Sequence, residues 1–290
     1  MSRATVILHT IEQWQQQDEA TRVFVLRNIK LKDRLHRFLY AQNEKGGPDV
    51  KTATWVRCSK CADSEYPGWF LKEPRYDGIH PSSMGHPCLL KVYNEMIGAP
   101  QVKKIEPRVQ LIFDLGHAVH HMFQTYGLKG AWGPSYKQEV EISGTYQKIA
   151  EDLMLEGHAD AENILVIDEP GAPIYEVGLV HEYKSINSNG FKGLTKPKPE
   201  HKQQAMLYAK ALNRPVVVYL YLNKDDANLS DFPVQYNPEA WDLLERKARY
   251  LKQQYDAGQP PKGEVGFHCN DCPFAATCPD RLAAQPRRAP

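Results

Sequence analysis

The sequence lacks any apolar run long enough to cross a bilayer, which excludes a chain held in a membrane by a hydrophobic helix. Its first residues, MSRATVILHTIEQWQQQ, carry only a short apolar stretch and no small-residue cleavage site, so they do not resemble a signal peptide. The formal net charge is only +1, which neither indicates nor excludes a nucleic-acid partner. No internal repeat is present, which excludes a repeat array. We expect a cytoplasmic protein that does not bind membranes.

The amino-acid composition is typical of a globular protein with a large core. The chain has 290 residues, of which 42% are hydrophobic and 24% charged. It has six cysteines, and four of these form two Cys-x2-Cys pairs. In a chain of this length, such pairs indicate metal ligation in a reducing compartment rather than disulfides.

Four of the cysteines are candidates for one metal centre. Cys269, Cys272 and Cys278 lie in a Cys-x2-Cys-x5-Cys run near the end of the chain, and a turn of that spacing can present three thiolates together. The fourth ligand must come from elsewhere, and Cys88 is the candidate. Four thiolates suit a structural zinc ion or an iron–sulfur cluster.

The second pair, Cys58 and Cys61, has no free partner pair in the sequence. His80 and His86 could complete a zinc site with it, but ligand spacing of this kind is loose. Two free thiols in a folded appendage are the simpler interpretation.

The order of elements predicts an α/β fold. Helical patterns cover about residues 10–42, 86–98, 107–127, 199–212 and 238–258. Strands are expected at 136–142, around 153–167, at 177–186 and at 216–222, where VVVYLYL has the pattern of a buried strand. We place a domain boundary near residue 75, after a helical N-terminal region of unknown role. Residues 76–280 form the main domain, and residues 281–290 form a disordered tail.

Three residues between Cys88 and Cys269 carry the candidate chemistry. Glu182 and Lys184 share one face of a strand, because residues two apart do so. Taken alone, that pair is more often a surface ion pair. Asp160, in the small-residue context GHAD, could hold Mg²⁺ or Mn²⁺ together with Glu182 through carboxylate oxygens. Lys184 would then position or activate the attacking water and help to stabilise the developing negative charge. The alternative for Asp160 is an ordinary turn residue.

Other candidates flank this set. His120 follows Gly116 by four residues on the apolar stripe of the predicted long helix, where a histidine is more often structural than a ligand. As a ligand it would add a nitrogen donor that favours Mn²⁺ as well as Mg²⁺. Gln204 and Tyr208 lie one helical turn apart and could touch a phosphate or stack on a base. Lys196, Lys198 and Lys202 gather at the start of that helix, either as a phosphate-binding end or as a solvated basic face.

Together these motifs resemble the RecB-like branch of the PD-(D/E)XK nucleases, and they are most similar to viral and CRISPR-associated exonucleases with an iron–sulfur cluster. The resemblance covers roughly residues 80–280. Each motif is degenerate, but six in the family's order are specific. They are Ser83 with Cys88, Gly116 with His120, Gly157 with Asp160, Glu182 with Lys184, Gln204 with Tyr208, and the C-terminal cysteine run. Ala159 stands where the family has a nominal proline.

The resemblance implies a restriction-endonuclease-like core, with a central mixed sheet flanked by helices and a C-terminal cysteine segment. It implies a [4Fe–4S] cluster on Cys88, Cys269, Cys272 and Cys278, which would clip the two ends of the domain together. It also implies a Mg²⁺- or Mn²⁺-dependent exonuclease on single-stranded DNA or DNA ends, working in recombination, replication or repair, with recombination or replication proteins as partners.

Three alternatives remain open at this point. One is a nuclease of CRISPR adaptation that trims DNA ends beside an integrase. The second is an inactive DNA-binding scaffold that carries the cluster. The third, an electron-transfer protein, is disfavoured because ligands so far apart in sequence suit a compact redox carrier poorly.

Overall fold

A six-stranded mixed sheet with helices on both faces forms the centre of the molecule, as the α/β prediction requires. The computed structural model describes residues 3–43, 78–101, 107–142 and 148–284. The strands are β1 (Thr5–Leu8), β2 (Lys137–Glu141), β3 (His158–Asp168), β4 (Ile174–Ile186), β5 (Val216–Asn223) and β6 (Leu229–Gln235). Their order across the sheet is β2-β3-β4-β5-β6, and β1 pairs with β4. The β4–β5 and β1–β4 pairs are parallel, and the others are antiparallel.

The helices follow the chain in eleven segments within the described residues. They are α1 (Ile11–Gln15), α2 (Glu19–Asn28), α3 (Leu31–Asn43), α4 (Pro81–Met84), α5 (Leu89–Met96), α6 (Pro107–Leu128), α7 (Lys148–Leu153), α8 (Ser188–Lys192), α9 (Pro199–Ala211), α10 (Pro238–Asp256) and α11 (Pro279–Ala284). None of the described helices is long and apolar enough to cross a membrane.

Two hydrophobic cores lie on opposite faces of the sheet. One packs α5, α7, α9 and α10 against residues such as Val180 and Val217. The other packs α2, α3 and α6 against Leu179 and Val218. Alternation along β4 sends Val180 to the first core and Leu179 to the second, so both faces of the strand are buried at these residues.

The N-terminal segment contributes directly to this sheet. β1 and β5 share one edge of β4, β1 pairing from Ile174 to Val177 and β5 from Leu179 onwards. Gly178 lies where the two meet, and a Cβ there would fall 2.5 Å from the His9 carbonyl oxygen. Only a residue without a side chain allows that approach. The domain boundary predicted near residue 75 lies outside the described residues, as do Cys58 and Cys61.

The structure corrects three details of the predicted elements. The strand expected around 153–167 begins only at His158, because Ile149, Ala150 and Leu153 bury one face of the short helix α7. β1 and β6 were not predicted; β1 is only four residues long, and β6 contains Pro233, which is tolerated because β6 is the last strand of the sheet. Residues 281–284 of the predicted tail belong to α11, where Asp280 accepts a hydrogen bond from Gly263 N at 2.8 Å.

Candidate functional site

The candidate site lies where β3 and β4 separate. The last paired residues of these strands are Ala161 and His181. One step further, the same register would place Asp160 opposite Glu182. At this position the two strands are not paired through their backbones. Instead, the Asp160 side chain bridges them, and its Oδ2 accepts a hydrogen bond from Tyr183 N at 2.6 Å. The diverging strand ends therefore present Asp160 and Glu182 to the same opening.

His120 reaches this opening from α6. Its Nδ1 lies 3.1 Å from Asp160 Oδ1, and its ring meets the Tyr183 ring edge-on at 6.1 Å between centroids. The helix is held there by Phe123, which is 1% exposed in the core beneath. The more N-terminal part of the predicted apolar stripe is partly exposed, with Ile112 at 37% and Phe113 at 42%. The structure thus places His120 beside Asp160.

Glu182 and Lys184 lie together on the face of β4 that carries Val180. Glu182 is fully buried, and Lys184 Nζ lies 2.5 Å from Glu182 Oε1. Apart from this ion pair, neither Glu182 oxygen has a hydrogen-bond partner among the described residues. Lys184 Nζ donates to Gln204 Oε1 at 3.4 Å. A buried carboxylate with an unpaired oxygen is costly, so another positive group is needed to offset it.

Glu182 and Asp160 fit a divalent cation by their chemistry. Hard oxygen donors suit Mg²⁺ or Mn²⁺, and the unpaired oxygen of Glu182 is the strongest feature in favour. Across the described ranges, however, no three His, Cys, Asp or Glu side chains are placed so that they could already hold a metal ion together. In the arrangement seen, His120 and Lys184 are the cations that face the two carboxylates.

The charges of this group are strongly coupled. Burial raises the pKa of Glu182 to about 7, although Lys184 opposes the shift, and Asp160 adds to it. For Lys184, burial lowers the pKa but the charges of Glu182 and Asp160 outweigh it, so its pKa is raised overall. For His120, burial is likewise outweighed by Asp160, and the pKa rises. The pKa of Asp160 is lowered, because His120 and Lys184 outweigh the effect of burial. Lys184 therefore stays protonated at neutral pH.

Glu182 should contribute less to stability as the pH rises. The pKa of Glu182 is about 7 in the fold and 4.5 ordinarily, so between these values the folded chain holds an extra proton on this carboxyl group. His86, His181 and His201 act in the opposite direction, because burial lowers their pKa values and the unfolded chain binds more protons there below pH 6.5. The Glu182 effect is therefore measured as a difference. Between pH 4.5 and 7, the free energy of unfolding of Glu182→Gln, from urea titration with a divalent-cation chelator, should rise relative to that of the wild type, and a difference that does not change with pH would contradict the assignment.

Gln204 and Tyr208 stand at the same face but differ in what they can do. Gln204 is partly buried and contacts Lys184. Tyr208 is 2% exposed, so its ring supports the start of β3 rather than offering a face to a base. Gly157 has φ +155°, and a Cβ there would lie 3.4 Å from Tyr208 Oη and 3.2 Å from Pro81 Cδ. At Gly116 an added Cβ would lie 3.9 Å from Ser185 Oγ, an ordinary contact, so the described residues do not require that glycine.

The four candidate cysteines line one small cavity at the end of the domain. Cys88 precedes α5, while Cys269, Cys272 and Cys278 come from the C-terminal segment. All four are free thiols, and Cys88 is buried. Burial raises the pKa of the Cys272 thiol, and the neighbouring Cys88 and Cys269 add to the shift. The structure therefore places Cys88 at the same cavity as the other three despite the sequence gap, although within the described residues no three of these thiols already stand close enough to hold one metal ion.

A lysine fixes the loop that carries Cys88. Lys247 on α10 donates from Nζ to the carbonyl oxygens of Met84 at 2.6 Å and His86 at 2.8 Å. His86 Nδ1 in turn accepts a hydrogen bond from Cys88 N at 3.1 Å. Burial lowers the pKa of His86 to about 4, and Lys91 adds to the shift, so the imidazole is neutral and can accept that bond.

The structure adds residues to the site that the motifs do not contain. Glu139 on β2 and Gln124 on α6 adjoin Asp160, since Gln124 Nε2 donates to both Glu139 Oε1 and the Asp160 carbonyl oxygen. Beyond Lys184, His201 Nδ1 lies 2.7 Å from Tyr221 Oη. No sequence pattern marks these residues, because their proximity depends on strand register and helix packing.

Comparisons with known proteins give a distant likeness in fold. No family model and no curated protein matches the chain. Among solved structures, SSO0001 is 20% identical, with a TM-score of 0.42 over 73% of this chain and 89% of that chain. An alkaline exonuclease from Laribacter hongkongensis, LHK-Exo, is 14% identical, with a TM-score of 0.41 over 63% of this chain and 90% of that chain. Its complex with dAMP gives 13% identity and a TM-score of 0.44 with the same coverage. These likenesses are too distant to assign an activity.

Proposed function

We propose that this chain is a divalent-cation-dependent nuclease of the PD-(D/E)XK type that hydrolyses phosphodiester bonds in DNA. One observation carries the proposal: Asp160, Glu182, Lys184 and His120 meet where β3 and β4 separate, and Glu182 is fully buried with an unpaired oxygen. A structural ion pair does not require that burial, since it would gain nothing from leaving an oxygen without a partner.

Each side chain has a role that follows from its surroundings. Asp160 and Glu182 would hold Mg²⁺ or Mn²⁺, with His120 as a further donor once it loses its proton. The bound cation would supply Lewis acidity at the phosphate and lower the pKa of a coordinated water. Lys184 remains protonated, so it cannot serve as the base. Instead its ammonium donates toward the negative charge that develops on phosphorus-bound oxygens, and Gln204 helps to orient it.

The reaction proposed is in-line hydrolysis of a phosphodiester. Water oxygen joins phosphorus while the bond to the leaving oxygen breaks, so one product ends in a hydroxyl and the other in a phosphate monoester. The burial of Lys184 and Glu182 strengthens electrostatic interactions at this position relative to water. The same burial requires that the substrate phosphate comes to the opening between the strands.

The start of α9 supports a DNA substrate. Pro199 begins the helix, and no side chain caps its first backbone N–H groups, an arrangement that favours an anion. Lys196 and Lys202 are exposed there, and Lys198 lies close enough to lower the pKa of His201 together with Lys184. A phosphate backbone that crosses this end of α9 would therefore pass beside Lys184. We propose single-stranded DNA or DNA ends as the substrate.

We also propose that the four cysteines hold a [4Fe–4S] cluster. Four thiols line a single cavity, which is the donor set that such a cluster or a structural zinc ion takes. The cluster would have a structural role, because it would connect the start of α5 to the C-terminal segment after α10. Ligand bonds of this kind contribute directly to folding free energy.

End-labelled DNA tests the proposed function directly. Purified full-length protein is incubated with labelled single-stranded and double-stranded oligonucleotides, with Mg²⁺, Mn²⁺ or a chelator. We expect cleavage only with a cation, and a covalently closed circular substrate should resist if the chain is an exonuclease. Cleavage of the circle would overturn exonuclease action and leave a nuclease.

The same assay separates the alternatives. A DNA-binding scaffold would retard labelled DNA on a gel without cutting it under any cation condition, and this result would overturn the nuclease proposal. A nuclease of CRISPR adaptation would trim ends in this assay as well. Copurification of a DNA integrase would favour that setting over recombination or replication.

A further inference from the structure

Three carboxylates occupy one row across three neighbouring strands. The register of β2 and β3 pairs Gln138 with Ala161 and Val140 with Ala159, so Glu139 stands opposite Asp160. The register of β3 and β4, continued by one step, places Asp160 opposite Glu182. Neither of these two positions is a regular backbone pair, so the ladder is interrupted on both sides of Asp160. Like charges opposite one another destabilise a sheet unless something offsets them.

Glu139 lies in this row with an unusual backbone. Its φ is +46°, the left-handed region that a residue with a side chain rarely adopts, and it lies within β2. Such strain persists where the surrounding structure enforces it. Gln124 links Glu139 to the row, because its Nε2 donates to Glu139 Oε1 and to the Asp160 carbonyl oxygen.

Glu182 supplies a second observation that points to a ligand. Its carboxylate is fully buried, and apart from the contact of Oε1 with Lys184 at 2.5 Å, neither oxygen has a hydrogen-bond partner among the described residues. Buried polar atoms are nearly always paired, so a cation bound at this row would satisfy the remaining oxygen.

We infer that Glu139 is a further acidic residue of the cation site, contributing a third carboxylate beside Asp160 and Glu182. The inference rests on the proposed function, because it concerns the same divalent cation. Glu139 would act through a coordinated water, because no three acidic or histidine side chains of the described residues are placed to share an ion directly. Its hydrogen bond to Gln124 would orient it, as outer partners orient ligands in metal sites.

Cation binding to the intact protein tests this inference. Mn²⁺ affinity is measured by titration calorimetry and by loss of the free-Mn²⁺ electron paramagnetic resonance signal, on the full-length chain without DNA. Glu139→Gln keeps an acceptor for Gln124 but removes the charge. We expect its Mn²⁺ affinity to fall about 10-fold or more, in the range seen when partners of metal ligands are lost. The matched control is Glu141→Gln, an exposed glutamate two residues further along β2, whose affinity should equal that of the wild type.

The outcomes are distinguishable. Thermal melting without cation should show Glu139→Gln at least as stable as the wild type, because a like charge has left the row, while its stabilisation by Mn²⁺ shrinks. Wild-type Mn²⁺ affinity in Glu139→Gln, or equal losses in Glu139→Gln and Glu141→Gln, would overturn the inference and leave the nuclease proposal standing. Failure of the wild type to bind Mn²⁺ would overturn both.

Discussion

Replacing Glu182 by glutamine should abolish DNA cleavage. The carboxylate is fully buried and lies 2.5 Å from Lys184, so glutamine keeps its shape but removes the charge that would bind the cation and leaves the Lys184 ammonium without its partner. A cation supplies several kcal/mol of charge stabilisation in phosphoryl chemistry, which corresponds to a rate loss of about 1,000-fold or more when its ligand is lost. Asp160→Asn should give a similar loss of activity.

Cleavage rates and melting temperatures of the same preparations check this prediction. Glu176→Gln is the matched control, since Glu176 lies on β4 far from the opening, where it faces His9 at 3.2 Å. That variant should cut DNA at the normal rate. Normal cleavage by either Asp160→Asn or Glu182→Gln would remove these carboxylates from the mechanism, whatever the variant's stability.

Replacing Cys88 by serine should remove the metal centre and destabilise the whole chain. Structural metal sites contribute about 10 kcal/mol or more of binding free energy to folding. Loss of even a third of that would lower the melting temperature by on the order of 10 °C for a domain of this size. Cys88 is the ligand to test because it comes from the start of α5, whereas the other three lie together in the C-terminal segment. Its loss disconnects two distant parts of the fold.

Iron and zinc content, the visible absorption spectrum and thermal melting measure this effect on anaerobically purified protein. Ala276→Ser places a serine at an exposed position of the same segment and should retain both metal and stability. A colourless wild type with one zinc ion per chain would remove the iron–sulfur proposal but keep the shared site. Wild-type metal content in Cys88→Ser would remove Cys88 from the site.

The motifs located the candidate residues, but the tertiary structure changed what several of them can do. Lys184 was predicted to position or activate the attacking water and to stabilise charge. Its contact with Glu182 raises its pKa, so it stays protonated, which disfavours activation of the water as a base. Tyr208 was a candidate for stacking on a base, and burial of its ring leaves it a supporting role. His117 and His121 share the helix of His120, and the structure pairs His120 with Asp160.

Local sequence determined the elements and the chemistry available to this protein. Apolar runs specified β4 and β5, and Pro107 with helical periodicity specified α6. The residue types Asp160, Glu182 and Lys184 specified oxygen donors and an ammonium. These features depend on neighbours within a few positions along the chain. Strands as short as β1, and one that contains a proline such as β6, carry too little pattern to be recognised in this way.

Tertiary structure alone decided which distant residues meet. Glu139 stands opposite Asp160 because of the register of β2 against β3, and its backbone has a positive φ. Neither property can be predicted from the neighbouring residues in the sequence. Cys88 joins the C-terminal cysteines because α5 packs against α10, and β1 joins β4 because Gly178 admits the backbone of His9. Strand register, helix packing and the close approach of two backbones each depend on many contacts between residues far apart in the chain. The sequence therefore determines them only through the complete fold.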